Sequence, residues 1–292
     1  MKRNLSLIER VKQTKLTPSE QHIIDTITSN ITELVFYNSA KLAEICEVSA
    51  SVITRLNQKL GYENFNEFKQ DLEDLYRQTV TPYDTYKHYL NINSSIDASK
   101  ANYSVMQDIN NLIKMQKQLD QKDIDAIVEI IKKANMTYIV AMFASEPTAR
   151  YLSSHLDRLK ILNRCVLGVG LSKQIEFLKP QKGDIIIAIS FQGIFQEIFE
   201  SVSFAKRNSA TVISITDSRI NPLAKASDYV LVTSVDGATF DYSHVAPISM
   251  VNVLVNGIAA SMDTDYLVEI LDQVRQRWRE LHLFISDIKS NQ

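Results

Sequence analysis

Residues 39–61 are the segment that most restricts what this chain can fold into. Apolar residues recur there at helical spacing on both sides of a tight turn at Glu47–Ser49, a pattern typical of two short packed helices. Ser49 stands where the second helix needs an N-cap, and its side chain is expected to accept a backbone amide hydrogen bond. Gly61 stands where a C-terminal cap belongs. The inward side is predicted to comprise Leu42, Ala43, Ile45, Val52, Ile53, Leu56 and Leu60.

The outward face of the second helix carries hydrogen-bonding and basic side chains, which suit the major groove of DNA. We expect contacts with base edges from Ser51, Thr54, Arg55 and Gln58. We expect contacts with the DNA backbone from Asn38, Lys41, Ser49 and Lys59. The segment therefore predicts a double-stranded DNA operator as a partner of this chain.

The charge balance argues against a protein that coats DNA nonspecifically. The formal net charge is -2, from 32 Lys and Arg against 34 Asp and Glu. Residues 1–60 hold eight basic and six acidic side chains, a surplus of only two. Because so little attraction to phosphate is available, DNA binding would depend on local contacts and on a homo-oligomer, at least a dimer, which doubles those contacts.

The chain divides into an all-helical first part and a mixed second part. Helices are predicted over 4–14, from Pro18 behind the capping box of Thr17 and Glu20, and after Gly61. We predict a helix-turn-helix domain over 1–77, a polar and turn-prone linker over 78–103 with room for one helical turn, and a second domain over 104–292, with its sheet core at about 122–262.

The second part alternates short apolar runs with helical patterns. The runs begin at Tyr138, Cys165, Asp184, Thr211 and Tyr229 and are rich in β-branched residues, as in strands buried on both faces. Strands that alternate with helices predict an α/β fold, a doubly wound parallel five-stranded sheet between two helical layers. Helices are also predicted over 241–261 and 264–288.

Several other classes of protein receive no support from the sequence. Cys46 and Cys165 lie in apolar runs and are interpreted as reduced buried thiols. An apolar stretch long enough to span a membrane and an N-terminal signal core are both missing, so we expect a cytoplasmic protein without a membrane partner. The five histidines are scattered, and we expect no metal and no cofactor. Asp241, Ser243 and His244 are too close in sequence, on a predicted helix, to form a catalytic relay.

Ligands of an open parallel sheet bind at the carboxyl ends of its strands, and two loops there carry polar residues. One loop is Phe143–Pro147 and the other is Ser190–Phe195. A Ser-x-x-Gly turn that leads into a helix offers hydroxyls and free amides to an anion. The same residues also suit a turn that only shapes and caps the helix, and the spacing alone leaves both interpretations open.

This order of parts resembles the RpiR family of bacterial transcription regulators, which join a helix-turn-helix domain to a sugar isomerase (SIS) domain. The N-terminal likeness lies in Leu16–Glu20, Leu42 and Ala43, Val48 and Ser49, Ile53 and Arg55, Leu60 and Gly61, and Phe65, Phe68 and Lys69. The C-terminal likeness lies in Asp184–Ser190, Thr216, Pro222 and Leu223, and Asp228. The resemblance implies a dimeric or larger regulator of carbohydrate genes that senses a phosphorylated sugar without converting it.

The resemblance extends to four ligand-binding residues, with departures around them. It implies ligand contacts from Ser145 in the first loop and from Ser190, Gln192 and Gly193 in the second. Gln192 stands where the family commonly has a second serine, Phe195 where it has a threonine, and Met142, Phe143 and Ala144 where the first loop is usually glycine-rich. Each lost hydrogen bond to phosphate would cost about 1.5–3 kcal/mol, so two losses weaken binding by about two to four decades.

Three interpretations of the second domain therefore stay open. The first is a sensor of a phosphosugar or related metabolite through the four residues above. The second is a domain that has lost phosphate binding and serves as a dimer scaffold or senses another ligand. The third is a sugar-phosphate isomerase, for which Glu146 and His244 are the candidate bases, although it would leave the N-terminal helices unexplained.

Overall fold

The structure is a computed structural model of the chain. It describes residues 5–35, 37–79, 101–168, 170, 175–176, 179–238 and 241–281. Most of the predicted linker, residues 80–100, and the end of the last predicted helix, residues 282–288, lie outside the described residues.

Six helices form the N-terminal part: α1 Leu7–Gln13, α2 Pro18–Ser29, α3 Ile31–Leu34, α4 Ser39–Ile45, α5 Ala50–Lys59 and α6 Phe65–Thr79. Two capping boxes fix the starts of α1 and α2. In each, an N-cap hydroxyl, Ser6 or Thr17, accepts from the amide of a glutamate that binds back to the N-cap amide. The apolar sides of the helices meet in one core that includes Leu42, Ile53 and Phe68.

The C-terminal part alternates strands and helices. Its elements are α7 Ala101–Gln118, α8 Gln121–Lys133, β1 Thr137–Ala141, α9 Glu146–Arg158, β2 Asn163–Leu167, β3 Ile185–Ile189, α10 Gln196–Arg207, β4 Thr211–Thr216, α11 Pro222–Ala226, β5 Tyr229–Val232, α12 Val245–Ala260 and α13 Thr264–Glu280. The helix predicted from residue 241 begins only at Val245, because His244 occupies the N-cap position.

The five strands pair in parallel in the order β2-β1-β3-β4-β5. The predicted doubly wound sheet is confirmed. Alternate residues of each strand point to opposite faces: Ile187 packs in the core under α8, α9 and α12, whereas Ile186 and Ala188 pack under α10 and α11. Because the order reverses between β1 and β3, a crevice opens at their carboxyl ends.

Close contact between α12 and α8 requires a small residue. A Cβ atom on Gly257 would lie 2.9 Å from the Cγ2 atom of the buried Val128. The glycine therefore lets the two helices approach at a distance that alanine would not allow without a shift. This contact holds two of the helices that cover one face of the sheet.

An ion pair between described residues connects the N-terminal helices to the α/β part. Lys225 of α11 lies 2.7 Å from a carboxylate oxygen of Glu9 in α1. The hydrogen bond from Lys225, followed by those from Ser6, lowers the pKa of Glu9 to about 2. Helix α1 is therefore tied to the helix that follows β4.

Candidate DNA-binding and effector sites

The turn between α4 and α5 is built by hydrogen bonds at the end of α4. The amides of Glu47 and Val48 donate to the carbonyls of Glu44 and Ala43, at 3.1 and 2.9 Å, as in a Schellman motif. Glu47 adopts a left-handed conformation with φ of 53°. The turn predicted at Glu47–Ser49 is thus confirmed, and it directs α5 away from α4.

The two caps predicted for α5, Ser49 and Gly61, have different outcomes in the structure. Ser49 has the backbone of an N-cap, but its side chain makes no cap hydrogen bond; its hydroxyl lies 2.8 Å from that of Ser51 instead. The predicted side-chain cap is therefore wrong. At the other end Gly61 has φ of 86° and, with Tyr62, closes a second Schellman motif on the carbonyls of Gln58 and Asn57.

The outward face of α5 lies where the sequence predicts it. The side chains that we expect to contact DNA are exposed at Asn38, Lys41, Ser49, Ser51, Thr54, Arg55, Gln58 and Lys59. Thr54 donates to the Ala50 carbonyl at 3.1 Å and Arg55 to the Ser51 carbonyl at 3.4 Å, so both lie along their own helix. The face is polar and exposed, as the DNA-contacting side of a recognition helix is.

All four residues expected to contact the DNA backbone are engaged within the protein, Ser49 through the hydroxyl of Ser51. Asn38 accepts from the Lys41 amide at 2.9 Å and so caps α4. Lys41 pairs with Glu44 at 2.6 Å, and Lys59 pairs with Glu20 of α2 at 2.5 Å. The hydrogen bond from Lys59, followed by that from Thr17, lowers the pKa of Glu20 to about 2. A DNA phosphate would have to compete with these carboxylates for both lysines.

Arg10 is a residue at the end of α5 that sequence reasoning missed. Although charged, it is only 8% exposed. Its guanidinium donates to the carbonyls of Leu60 and Gly61, at 3.2 and 3.1 Å. It also lies 4.4 Å from the ring centre of Tyr62 and 3.6 Å from the Asp71 carboxylate. Arg10 follows Leu7, the other buried residue of α1, by three positions, and this spacing is what could have placed it on the buried side.

The second candidate site lies at the carboxyl ends of β1, β3 and β4. Strand β1 leads into a 3-10 turn, Phe143–Ser145, and then into α9. Strand β3 leads through Ser190 and Gly193 into α10. Ser145 and Ser190 are both buried, and the Ser190 amide donates to the Ile215 carbonyl at 3.2 Å. The structure thus brings the two predicted loops to neighbouring strands.

Gln192 and Gly193 form a left-handed turn, with φ of 44° and 97°. The Gln192 amide donates to a carboxylate oxygen of Asp217 at 3.3 Å. Asp217 follows β4 and is only 5% exposed. The side-chain oxygen of Gln192 is buried and has no hydrogen-bond partner among the described residues. A carboxylate of the protein itself therefore accepts the hydrogen bond of an amide in the predicted anion-binding loop.

A hydrogen-bond network extends from Asp217 to α11. The Thr216 hydroxyl donates to Asp217 at 3.4 Å and accepts from the buried Asn221 amide group at 2.7 Å. Asn221 in turn caps α11 by accepting from the Ala224 amide at 2.8 Å. The loop after β3 is thereby connected to the helix that bears Lys225.

Phe143 and Phe195, one from each loop, are in contact. Their ring centres lie 5.1 Å apart with the planes tilted by 47°. The residues are 62% and 43% exposed. Phe195 is the N-cap residue of α10 and provides no side-chain cap, because a phenyl ring cannot accept such a bond as a hydroxyl would. The two departures from the loop pattern thus form a single aromatic pair.

Comparison with known proteins assigns both parts of the chain. The profile of the helix-turn-helix domain of the rpiR family matches residues 3–79, and that of the SIS domain matches residues 130–257. The chain combines an RpiR-family helix-turn-helix domain with a SIS domain. The expected family resemblance and fold are therefore confirmed.

Two solved structures are similar in fold, one over the SIS domain and one over most of the chain. The SIS domain of an RpiR transcription factor from Sphaerobacter thermophilus is 26% identical, with a TM-score of 0.57 over 59% of this chain and 96% of that one. The NanR protein of Vibrio vulnificus, solved in complex with ManNAc-6P, is 20% identical, with a TM-score of 0.58 over 91% of this chain and 94% of that one.

The candidate bases of the SIS domain are held by other contacts. Glu146 lies 3.6 Å from Arg150 on the same helix. The Nδ1 atom of His244 lies 3.1 Å from the Thr148 hydroxyl, and its ring packs edge-on against Phe191. Burial lowers the pKa of His244 and so favours its neutral imidazole. Ser243 bonds to Asp108, so it does not form a relay with His244.

The described part of the chain offers neither a metal site nor a single membrane-spanning helix. No group of three or more His, Cys, Asp or Glu residues there is placed to hold a metal ion. Within the same ranges no single helix is long and apolar enough to cross a membrane; α12 and α13 are so only as a pair, and they are bent by 116°. Helix α12 contributes several residues to the core beneath the sheet.

Proposed function

We propose that this protein is a sequence-specific transcriptional regulator of carbohydrate uptake or catabolism genes, with DNA binding controlled by a metabolite at the SIS domain. The observation that carries the proposal is the exposed polar face of α5 on an RpiR-family helix-turn-helix domain joined to a SIS domain. The DNA contacts are those expected from the sequence, with Arg55 as the principal contact to a base edge.

The DNA contact is tested by gel shift with the DNA upstream of the protein's own operon. Arg55→Ala is expected to weaken specific binding by about 1–3 kcal/mol at fixed salt. Arg207→Ala is the matched control, because Arg207 lies on α10 and stacks on Phe204, far from α5 in the sequence and on another element. Equal affinity of the Arg55→Ala variant and the wild type would remove Arg55 from the interface.

We propose that α7 provides the dimer interface. Val105, Ile109 and Ile113 recur every four residues on its surface, with Met106 beside them, and each is at least 40% exposed. Such an apolar stripe suits a second copy of the same helix. Light scattering tests this: Ile109→Glu should shift the protein toward monomer, whereas Leu162→Glu, at an exposed apolar residue before β2, should not.

The network from Gln192 to α11 supports control of DNA binding by the SIS domain. It continues through the Lys225–Glu9 pair to α1, where the next residue, Arg10, holds the end of α5. A ligand that displaces Asp217 would therefore act on a connected set of polar contacts. Lys225→Gln should leave operator binding in place but reduce its response to the effector, as measured by gel shift with and without metabolite.

Two kinds of effector domain remain candidates. ManNAc-6P in the NanR structure makes a phosphorylated sugar one candidate for the ligand. The Phe143–Phe195 pair instead favours a domain that no longer binds phosphate, and that serves as a scaffold or binds another ligand. Isomerase activity is the least supported, since Glu146 is paired with Arg150. Thermal-shift measurements with sugar phosphates separate the first two, because a phosphosugar effector should raise the melting temperature.

A further inference from the structure

The aromatic pair is held at the crevice in spite of an unfavourable backbone and incomplete burial. Phe143 adopts φ of 50°, a left-handed conformation that side chains other than glycine rarely take. Its ring remains 62% exposed, so burial in the protein core does not account for it. Strain at an exposed position is typical of ligand-binding loops. The two rings bridge the loops after β1 and β3 and present an apolar surface there.

A phosphate group would meet unfavourable charge at this place. The amide of Gln192 already donates to Asp217, whose carboxylate lies against the loop. The Asp217 carboxylate is only 5% exposed, so a phosphate bound beside it would add a second negative charge in a poorly solvated place. Arg150, a basic residue at the start of α9, is paired with Glu146.

The unsatisfied groups at the crevice favour a ligand that donates hydrogen bonds. The buried side-chain oxygen of Gln192 accepts from no group that the structure describes. The Nε2 atom of His244, whose ring touches Phe191 of the same loop, is also buried without a partner there. With Asp217, the Gln192 oxygen suits hydroxyl or ammonium donors, and the phenyl pair suits the C–H face of a ring.

From this combination we infer that the site binds an unphosphorylated hexose or hexosamine, with its ring against Phe143 and Phe195 and its donors toward Gln192 and Asp217. The inference deepens the proposed function and rests on it, since it names the effector of the same regulator. Phosphorylation of the sugar places a second anion beside Asp217 and is therefore expected to weaken binding at least about tenfold.

The test is titration calorimetry of the full chain with matched pairs: glucose, glucosamine and N-acetylmannosamine, each against its 6-phosphate. At least one free sugar should bind, and at least about tenfold tighter than its phosphate ester, a difference of about 1.4 kcal/mol. Asp217→Asn keeps the size of the side chain and an acceptor for the Gln192 amide. It should raise the affinity for the phosphate ester about tenfold, because it removes one negative charge.

The rings are tested by truncation with an aromatic control. Phe143→Ala combined with Phe195→Ala should weaken binding of the free sugar at least about tenfold. Phe204→Ala should not, because that ring lies further along α10 and contacts Arg207. Thermal melting verifies that each variant is folded. If the double variant is unfolded, Phe195→Leu, which keeps an apolar side chain, replaces it in the test.

Two results would overturn the inference: none of the free sugars binds the wild type, or each phosphate ester binds as tightly as its sugar. Gel shift without sugar separates this failure from that of the proposed function. Wild type that binds operator DNA but no free sugar refutes only the inference about the effector. Wild type that binds free sugar but not the operator refutes the regulator and leaves the ligand site standing.

Discussion

Removal of the Arg10 side chain should lower the stability of the helix-turn-helix domain and leave that of the SIS domain unchanged. Arg10 donates to the carbonyls of Leu60 and Gly61 and pairs with Asp71, all in a largely buried setting. A hydrogen bond from a charged donor contributes about 1.5–3 kcal/mol, and loss of one partner of a buried pair costs about 3–5 kcal/mol. Because these contributions are not additive, we expect Arg10→Ala to lower the free energy of unfolding of α1–α6 by about 3–5 kcal/mol.

Two optical signals in one urea titration separate the domains. The chain has a single tryptophan, Trp278, which lies on α13 of the C-terminal part. Its fluorescence reports the SIS domain, whereas far-UV circular dichroism reports helices of both domains. In Arg10→Ala the dichroism should show an early transition, while the fluorescence transition stays at the wild-type midpoint. The midpoint of the dichroism transition in Arg10→Lys should lie between those of Arg10→Ala and the wild type, because lysine keeps the charge but not the planar guanidinium.

The control for this prediction is Arg207→Ala, which removes an exposed guanidinium that stacks on Phe204. It should change the free energy of unfolding by less than about 1 kcal/mol. The reasoning about Arg10 fails if Arg10→Ala costs less than about 1 kcal/mol, within the range of an ordinary surface substitution. It also fails if dichroism and fluorescence shift together, since the contacts of Arg10 would then stabilise both domains.

Three further predictions concern the SIS domain. Phe143→Gly should be more stable than Phe143→Ala by about 1 kcal/mol in thermal unfolding, because only glycine relieves the left-handed strain; equal stabilities would contradict it. Gly237→Ala should lower the free energy of unfolding by about 1–3 kcal/mol, because its Cβ atom would lie 1.6 Å from the Asp241 carbonyl oxygen. Burial lowers the pKa of His244 below its ordinary 6.5, so the unfolded chain takes up that proton first as the pH falls. The melting temperature should therefore decrease below pH 6.5, and less steeply in His244→Asn; parallel slopes would count against it.

The sequence was sufficient for the elements whose local signals agree with their packing. The apolar spacing of residues 39–61 predicts two helices and the turn between them, and β-branched runs predict the buried parallel strands. Gly61 marks the end of α5 because the left-handed conformation there favours glycine. By contrast, Ser49 has the sequence of a capping residue, yet its hydroxyl turns to Ser51, a choice between near-equal local partners.

The sequence by itself determined the fold class, the helix-turn-helix unit and the two loops at the carboxyl ends of the strands. Periodicity and turn residues act over a few positions, so they can be read along the chain. Only the tertiary structure decided that Arg10 binds the end of α5, that Asp217 accepts a hydrogen bond from the Gln192 amide, and that Phe143 contacts Phe195. These contacts join residues about 25 to 50 positions apart, and no local pattern encodes them. They depend on how helices and loops pack in space, which is why the charge and shape of the crevice at the carboxyl ends of β1 and β3 follow from the fold.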